Sequence, residues 1–434
     1  MIGWRWTGLV VVASMAACGG GGGGGGGSGG SAVEPPDYAF VYDPATIHEF
    51  EIELTQANWT ALQSAPETYV PGTLKFGAET YANVGVRFKG NSSLSGGNDK
   101  KPFKIHMNEY DATLRFHGFK KLNFHNGFKD PSLIREKIAY ELMESAGAAA
   151  PKAAHIRLYV TVPGVYAKEY FGVYTNTEQP GKSFCKDRFN DDDGNLYKGE
   201  SGADCKYLGA SQSLYTTKYE LQTNETAPDY SGLIHFLDVL NNTPIATLKT
   251  ELDKVLNVDP MLAVLAVNAL LSSLDSYSGG GHNYFLYHNL STGKFEFIPW
   301  DTNETFGQFK SGWTNAELLA QSVYAPYSKG ETGVNRPLVY RVLQVPEYKA
   351  VYEAKVRALL NGPFTSAALD PRMDELVAFI QIAAYADTHK DYTNAEFDAS
   401  LTTDMTMKPG ASDLSMGLKP FVVNRWAAVN GQVP

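Results

Sequence analysis

The sequence predicts an α+β protein with a strand-rich N-terminal half and a helix-rich C-terminal half. In the first half, short runs of strand character are separated by Gly, Ser and Asn clusters, which indicates an antiparallel sheet. After about residue 231, apolar residues recur at helical spacing. The most apolar of these segments, DPMLAVLAVNALLSSLDS, predicts a central buried helix.

Most elements of the first half are predicted strands. They are HEFEIELTQA (residues 48–57), YANVGVRFKGNSSL, KPFKIHM, KKLNFHN, HIRLYVTV and AKEYFGVYTNTE. NWTALQSAP reads as a short helix with Asn58 or Thr60 near its start. DPSLIREKIAYELMESAGA predicts a longer amphipathic helix, with Asp130 as N-cap, Pro131 in the first turn and Gly147 as the stop.

The second half begins with a polar segment, residues 180–230, whose Gly, Asp, Asn and Lys content predicts a loop. Helices are then predicted at SGLIHFLDVLNN, ATLKTELDKVL and RPLVYRVLQVPEYKAVYEAKVRALLNG, and in the segments up to Arg425. One polar β-hairpin interrupts them, formed by NYFLYHN and KFEFIPWD across the turn STG.

The first 36 residues predict export and a lipid anchor. Arg5 precedes an apolar run of roughly ten residues and small residues ahead of Cys18, which is the layout of a secretory signal. That run is too short to span a bilayer of about 30 Å. Met15 to Cys18 resembles a bacterial lipobox, whose cysteine is lipidated. We therefore expect a signal at 1–18, a flexible glycine-rich linker at 19–36 and a domain at 37–434, tethered at the periplasmic or cell-surface side of a bacterial membrane. The alternative, a buried N-terminal strand, would have to tolerate the polyglycine.

The net charge and the cysteine content limit the possible binding partners and the possible cross-links. The formal net charge of −10 argues against nucleic acid as a partner, because neutralising phosphates needs a basic field. Beyond Cys18, only Cys185 and Cys205 remain, and in an exported chain they predict a disulfide, which stabilises by roughly 3 kcal/mol for a loop of this size. A metal pair is the alternative, but no CxxC motif or nearby His pair completes such a site.

Chemistry concentrates around the predicted hairpin. Asp275 ends the buried helix, Asn283 opens the first strand, and Asp301 follows the second. A hairpin that folds back brings both carboxylates and the amide to one point, and these hard oxygen ligands suit Mg²⁺ on a triphosphate. Protein kinases divide labour in this way between a base Asp, an Asn and a metal-binding Asp. Taken singly, each residue is also a common turn cap, and His282 would be an ordinary surface histidine.

The stretch LLSSLDSYSGGGHNYFLY followed by KFEFIPWDTNETFG resembles the signature of the CotH family, the spore-coat-type atypical kinases that also occur as secreted bacterial proteins. Segments of the first half, among them VGVRFKGNSSL, KKPFKIHM and FGVYTNTEQ, resemble family segments in the family's order, from about residue 48 to about 310. The resemblance implies a two-lobed kinase-like fold, with an N-lobe at about 37–180 and a C-lobe at about 181–434. It also implies ATP binding between the lobes and phosphate transfer to protein hydroxyls.

The resemblance carries over to single residues in the second half. Asp275 becomes the catalytic-loop aspartate, Asn283 a metal-side asparagine and Asp301 the aspartate that holds magnesium. The family often has an acidic residue where this chain has Asn303, which keeps an oxygen ligand but removes a charge. Mg²⁺ is the expected ion, with Ca²⁺ and Mn²⁺ as alternatives.

In the first half, the loop Gly90 to Gly97 would cover phosphates with its backbone N–H groups, or would simply be a hairpin turn. We expect Lys104 to contact phosphates, with Glu136 as its ion-pair partner. Other cations lie within reach, and the choice among them stays open at this point: Arg87, Lys89, Lys100 and Lys101. The connection between the lobes, next to the adenine, falls at Glu178 and Gln179.

The leading expectation is an exported, lipid-anchored protein kinase that uses Mg-ATP on Ser or Thr of envelope proteins. ATP is scarce outside the cytoplasm, so another phosphate donor is an alternative. The competing class is a non-enzymatic pseudokinase scaffold or adhesin, and a third, carbohydrate binding, rests only on abundant aromatic residues. Asp275 and Asp301 favour catalysis, because the repulsion of two converging carboxylates must be offset by a cation.

Overall fold

The strands of the first half close into a seven-stranded sheet of order β1-β2-β3-β4-β5-β7-β6 in the computed structural model, which describes residues 34–94, 99–410 and 413–434. Neighbours are antiparallel except β1 and β6, which run parallel. The strands are β1 (His48–Glu53), β2 (Val70–Phe76), β3 (Glu79–Phe88), β4 (Phe103–His106), β5 (Lys121–His125), β6 (Ala153–Val162) and β7 (Tyr166–Thr177).

Side chains of β3, β4 and β5 alternate between two faces of this sheet, as the period of a strand requires. One face fills the interior of the closed sheet with buried apolar residues, including Val86, Phe88, Phe103, Ile105, Leu122 and Phe124. The other face is polar, and there Arg87, Lys104 and Asn123 stand side by side in the register. This polar face carries the N-terminal part of the site described below.

Three helices accompany the sheet: α1 (Tyr38–Val41), α2 (Gln56–Ser64) and α3 (Arg135–Ser145). The predicted start of α2 was close, and that of α3 was wrong. α2 begins two residues before Asn58, because the Thr55 side chain accepts the Asn58 backbone N–H at 3.1 Å. α3 begins at Arg135 rather than near Asp130, because the Asp130 carboxylate accepts the N–H groups of Ser132 and Arg135, both at 2.9 Å, and holds a turn ahead of the helix.

The second half is mostly helical, as predicted, with a four-stranded sheet of order β11-β10-β8-β9 and a two-stranded pair, β12 and β13. Its helices are α4 (Lys182–Phe189), α5 (Ser231–Asn242), α6 (Ile245–Val255), α7 (Val258–Leu270), α8 (Asn315–Ala320), α9 (Pro337–Tyr340), α10 (Pro346–Leu360), α11 (Ser366–Ala386), α12 (Asn394–Ala399) and α13 (Leu418–Val429). Its strands are β8 (Leu196–Gly199), β9 (Tyr219–Leu221), β10 (Tyr284–Asn289), β11 (Lys294–Pro299), β12 (Met405–Thr406) and β13 (Leu414–Ser415).

Helix α7 is the predicted buried helix, and every residue from Met261 to Leu271 is buried. The predicted hairpin is present as β10 and β11. Residues 180–230 were predicted as a loop but contain α4, β8 and β9, because β8 pairs with the distant strand β10. The α+β, two-part fold class is confirmed.

The predicted signal, Cys18 and most of the glycine linker fall in residues 1–33, which lie outside the described residues, as do residues 95–98 of the predicted phosphate-covering loop. Within the described residues, no helix combines the length and apolar character that crossing a membrane requires.

The predicted disulfide is not formed, because Cys185 and Cys205 are both free and buried. They belong to different apolar clusters: Cys185 packs with Phe184 and Phe285, whereas Cys205 lies in the large helical core. The Cys205 thiol is 3.3 Å from the Tyr284 hydroxyl. Each sulfur therefore fills its own apolar site.

Candidate active site

Asp275 follows the last turn of α7, and both of its carboxylate oxygens are held. The ring nitrogen Nε2 of His282 lies 3.0 Å from Oδ1, and the Asn283 side-chain amide donates to Oδ2 at 3.0 Å and to the Asp275 carbonyl at 3.0 Å. Burial disfavours the His282 cation, but the hydrogen bond and charge of Asp275 outweigh it, so the pKa of His282 is raised. The Asp275 carboxylate therefore has a defined direction, with lone pairs left to accept another proton donor.

The β10–β11 hairpin returns the chain to the same place. The Trp300 N–H donates to the Asn283 carbonyl at 3.1 Å, and Asp301 follows directly. The backbone of Asp301 is left-handed, with φ of 55°, and its N–H donates to the Tyr140 hydroxyl of α3 at 3.0 Å. The structure thus places Asp275, Asn283 and Asp301 at one end of the hairpin, and their side-chain oxygens are of the kind that Mg²⁺ prefers.

Asn303 and Glu304 share the loop after Asp301. The Asn303 amide donates to the Phe128 carbonyl at 3.2 Å, which leaves its oxygen for another partner. Glu304, which sequence reasoning missed, is 6% exposed and lies 3.2 Å from Lys129 Nζ through both oxygens. Burial raises the pKa of Glu304 to about 7, with Asp275 and Asp301 adding to the rise and Lys129 opposing it. The signal in the sequence that could have identified Glu304 was its position three residues after the Trp300–Asp301 pair.

Lys89, His125 and Glu136 form the N-terminal part of the site. The Lys89 ammonium is hydrogen-bonded to His125 Nε2, and His125 Nδ1 lies 2.9 and 3.0 Å from the two Glu136 oxygens. The expected ion pair between Lys104 and Glu136 is therefore wrong, because the imidazole of His125 takes that side of Glu136. A ligand atom each of His125, Glu136 and Asp301 lie within 4.8 Å of one another, which connects this group to the Asp301 loop.

Lys104 stands in a cluster of positive charge. Its pKa is held well below the usual value by burial and then by the cations of Lys121, Lys89, Arg87 and Lys198. Within the described part of the chain Lys104 has no ion-pair or hydrogen-bond partner, and the carboxylate nearest Arg87, Glu67, lies 3.6 Å away and is exposed. Arg87 and Lys198 thus have Glu67 and Glu200 as partners, but Lys104 itself has none among the described residues, and a buried cation without a partner is unfavourable unless an anion binds. The cluster therefore fits a polyphosphate.

The other two lysines near this strand are committed elsewhere. Lys100 is buried in an ion pair with Asp387. Lys101 donates to the Leu94 carbonyl at 2.8 Å. The choice that the sequence left open thus narrows to Arg87, Lys89 and Lys104.

The connection between the two halves runs through Glu178 and Gln179, directly after β7. Glu178 is 1% exposed and uses Oε2 to accept from the Lys152 N–H at 3.0 Å and from Arg188 at 3.1 Å. That oxygen therefore serves the connection itself rather than a ligand. Gln179 donates to the Pro180 carbonyl at 2.9 Å, while its Oε1 is buried without a partner among the described residues. A buried acceptor without a partner is unusual and calls for an explanation.

Comparison with known proteins finds relatives that are named as spore coat proteins and as invasins. Inner spore coat protein H of Bacillus subtilis is 26% identical over 303 residues, which are 69% of this chain and 78% of that protein. Invasin CotH2 of Rhizopus delemar is 22% identical over 319 residues, which are 72% of this chain and 52% of that protein. The chain thus spans about half the length of this fungal relative.

A solved structure, that of the Helicobacter pylori proinflammatory kinase CtkA, is a distant likeness. The identity is 11% and the TM-score 0.24, with 70% of this chain and 93% of that chain covered.

The sequence pattern described as CotH kinase protein matches residues 86–405, which is well over half of the 434 residues. The matched range contains the cation cluster, the Lys89–His125–Glu136 group and both aspartates. On this match and this site, the chain belongs to the CotH kinase protein family.

Proposed function

We propose that this protein is an exported, lipid-anchored protein kinase that transfers the γ-phosphoryl group of Mg-ATP to Ser or Thr hydroxyls of envelope proteins. The observation that carries the proposal is Lys104, which has no partner among the described residues and lies in a cluster of cations that includes Lys89, beside Asp301. In a nucleoside triphosphate with a divalent ion, the phosphate oxygens pair with the cations and the ion pairs with the Asp301 carboxylate.

The residues divide the work of the reaction. Asp301, with the amide oxygens of Asn283 and Asn303, would hold the magnesium ion, which neutralises charge on the phosphates. Lys89, Lys104 and Arg87 bind phosphate oxygens and keep them oriented. Gln179 Oε1 is the acceptor available to the adenine.

Asp275 receives the proton. The acceptor hydroxyl forms its new bond to phosphorus while the bond to the leaving diphosphate breaks, and its proton passes to the Asp275 carboxylate. His282 and Asn283 hold that carboxylate in place, because each occupies one oxygen with a 3.0 Å hydrogen bond. The identities of the acceptor protein and of the phosphate donor at the envelope belong to the same proposal.

A second candidate is a non-catalytic surface protein. It is favoured by Asn303, which removes a charge from the metal side, and by the name invasin of the Rhizopus relatives. Nucleotide binding followed by phosphate transfer separates the two candidates, because a pseudokinase binds nucleotide without transfer.

The test is calorimetric titration with ATP in the presence of Mg²⁺. Wild type should bind, and Asp301→Ala should lose magnesium-dependent binding and phosphate transfer together. Asp374→Ala, which removes an exposed carboxylate paired with Lys419 on the second half, is the matched control and should bind as wild type. Absence of binding to wild type with Mg²⁺, Ca²⁺ and Mn²⁺ alike would reject the kinase and leave the surface protein.

A further inference from the structure

Lys89 and Glu136 are joined through an imidazole rather than directly. The Lys89 ammonium hydrogen-bonds His125 Nε2, and His125 Nδ1 reaches both Glu136 oxygens at 2.9 and 3.0 Å. His125 is the last residue of β5 and 7% exposed, and Glu136 lies in the first turn of α3 and is 4% exposed. The residue after β3, the end of β5 and the start of α3 are therefore joined by one chain of hydrogen bonds, in which His125 and Glu136 are buried and Lys89 is half-buried.

The partners determine the form of the imidazole. An ammonium group can only donate and a carboxylate can only accept. The ring must therefore accept from Lys89 at Nε2 and donate its Nδ1 proton to Glu136, which is the neutral form with the proton on Nδ1. A doubly protonated ring would direct an N–H at the ammonium and lose that hydrogen bond.

The register of the sheet explains why the ring is needed. Phe88, Phe103 and Phe124 are aligned across β3, β4 and β5, so Lys89 and His125, one residue further along, are separated by the intervening strand. At that level the Lys89 N–H donates to the Pro102 carbonyl at 3.1 Å. The Lys89 side chain crosses this strand to reach His125.

Trp300 closes the group from the hairpin side. Lys89 Nζ lies 5.0 Å from the centre of its ring, and the His125 and Trp300 rings are nearly perpendicular with centroids 5.7 Å apart. Burial lowers the pKa of Lys89 to about 8, while Asp301 and Glu136 oppose the decrease. The ammonium is thus costly to keep charged, and its few polar contacts decide where it points.

We propose that His125 is a positioning residue that aims the Lys89 ammonium at the nucleotide phosphates by relaying the charge of Glu136 through a neutral imidazole. This inference rests on the proposed function. An amide at this position would reproduce the relay, because Gln also has one acceptor and one donor group, whereas a hydrocarbon side chain would break it.

The experiment compares His125→Gln and His125→Leu by the Kd of Mg-ATP and of adenosine, measured by calorimetry. His125→Leu should weaken Mg-ATP binding by about 10-fold or more, the scale of a hydrogen bond to a charged group, and leave adenosine binding unchanged. His125→Gln should stay within about threefold of wild type for both ligands. His117→Leu is the matched control, because His117 precedes the opposite end of β5 and pairs with Glu79 at 3.3 Å.

A double-mutant cycle tests whether His125 acts through Lys89. In a Lys89→Met background, His125→Leu should weaken Mg-ATP binding no further. Additive losses would overturn the proposal, as would wild-type affinity in His125→Leu. Equal losses in His125→Gln and His125→Leu would also overturn it, since a requirement for imidazole itself would point to metal ligation with Glu136 and Asp301.

Folding and the parent proposal are controlled separately. If His125→Leu shows no cooperative thermal transition, the other two variants decide. Lys89→Met must then weaken Mg-ATP binding, and His125→Gln must not. Any other result overturns the relay. Failure of wild type itself to bind Mg-ATP would instead reject the kinase function.

Discussion

Single side chains in the site are controlled by their immediate partners. Lys104 and Lys89 face the same side of the sheet, yet only Lys89 has a polar partner in the described chain, namely His125. Asp275 is oriented by His282 and Asn283, which follow it by seven and eight residues. Two lysines on the same face of the sheet therefore differ in orientation and pairing, because only one of them has a hydrogen-bond partner nearby among the described residues.

Asp275→Asn separates chemistry from binding. The amide cannot take the hydroxyl proton, so phosphate transfer should fall by a factor on the order of 10² to 10⁴. Nucleotide affinity should stay within about threefold, because Asp275 acts mainly in the transition state. Single-turnover transfer and calorimetry measure the two effects, with Asp253→Asn on the surface of α6 as the control. Parallel loss of binding would place Asp275 among the ligands of the ground-state complex.

His155 makes the stability of the protein depend on pH. It is 2% exposed, its Nε2 lies 2.8 Å from the Leu133 carbonyl, and burial lowers its pKa from 6.5 to about 4. The unfolded chain then binds more protons between pH 6.5 and 4, so stability falls as the pH falls through that window. The full effect is about 3 kcal/mol, at about 1.4 kcal/mol per pKa unit.

Urea unfolding at several pH values checks this expectation. His155→Gln keeps a donor for the Leu133 carbonyl and should flatten the pH dependence, whereas His117→Gln, a half-exposed site, should preserve it. An unchanged slope in His155→Gln would show that other groups cause the dependence.

At the scale of elements, the residue that follows α11 is hydrogen-bonded to β7. Asp387, directly after α11, accepts the Val173 N–H at 3.2 Å and the His389 N–H at 3.0 Å, and it pairs with Lys100. Gly172 makes room for this carboxylate, because a Cβ built there would lie 2.0 Å from Asp387 Oδ2. The contact ties the second half of the chain to the closed sheet.

Gly172→Ala should therefore destabilise the fold more than Gly164→Ala. Both glycines have positive φ, 111° and 79°, but a Cβ at Gly164 meets nothing within 4 Å. Backbone strain is common to both and costs roughly 1–2 kcal/mol. The clash with Asp387 should add about 1–3 kcal/mol for Gly172→Ala alone. The free energies of unfolding in urea give the difference, and equal values would show that the contact yields without cost.

At the scale of the whole molecule, the site is assembled by both halves. The closed sheet supplies the cations, and the β10–β11 hairpin and the end of α7 supply the carboxylates. A chain fragment containing either half alone would lack part of the site, because Lys89 and Lys104 belong to the first half and Asp275 and Asp301 to the second. We therefore expect nucleotide binding to require both halves of the domain.

The predicted anchor is tested on the full-length chain. Cys18→Ala should move the protein from the membrane fraction to the soluble fraction, because the lipid would have no attachment point. Cys185→Ala controls for the loss of a cysteine and should leave the fractionation unchanged. A Cys18→Ala protein that remains with membranes would contradict lipid anchoring.

What the sequence determined by itself was mostly local. The order of strands and helices, the buried α7, the polar hairpin and the kinship with CotH proteins all follow from periodicity and motif order, which report on nearby residues. The same reasoning placed Asp275, Asn283 and Asp301 at one end of the hairpin, because a hairpin closes over a short stretch of chain. Their role as metal ligands stays a prediction.

Tertiary structure decided the partners. Glu136 pairs with His125 instead of Lys104, because the register of β3, β4 and β5 and the approach of α3 determine which side chains meet. Cys185 and Cys205 stay apart, because they fill different apolar clusters. Glu304 reaches Lys129 across 175 positions of sequence. Side-chain pairing depends on distances between elements far apart in the chain, and no local pattern encodes those distances.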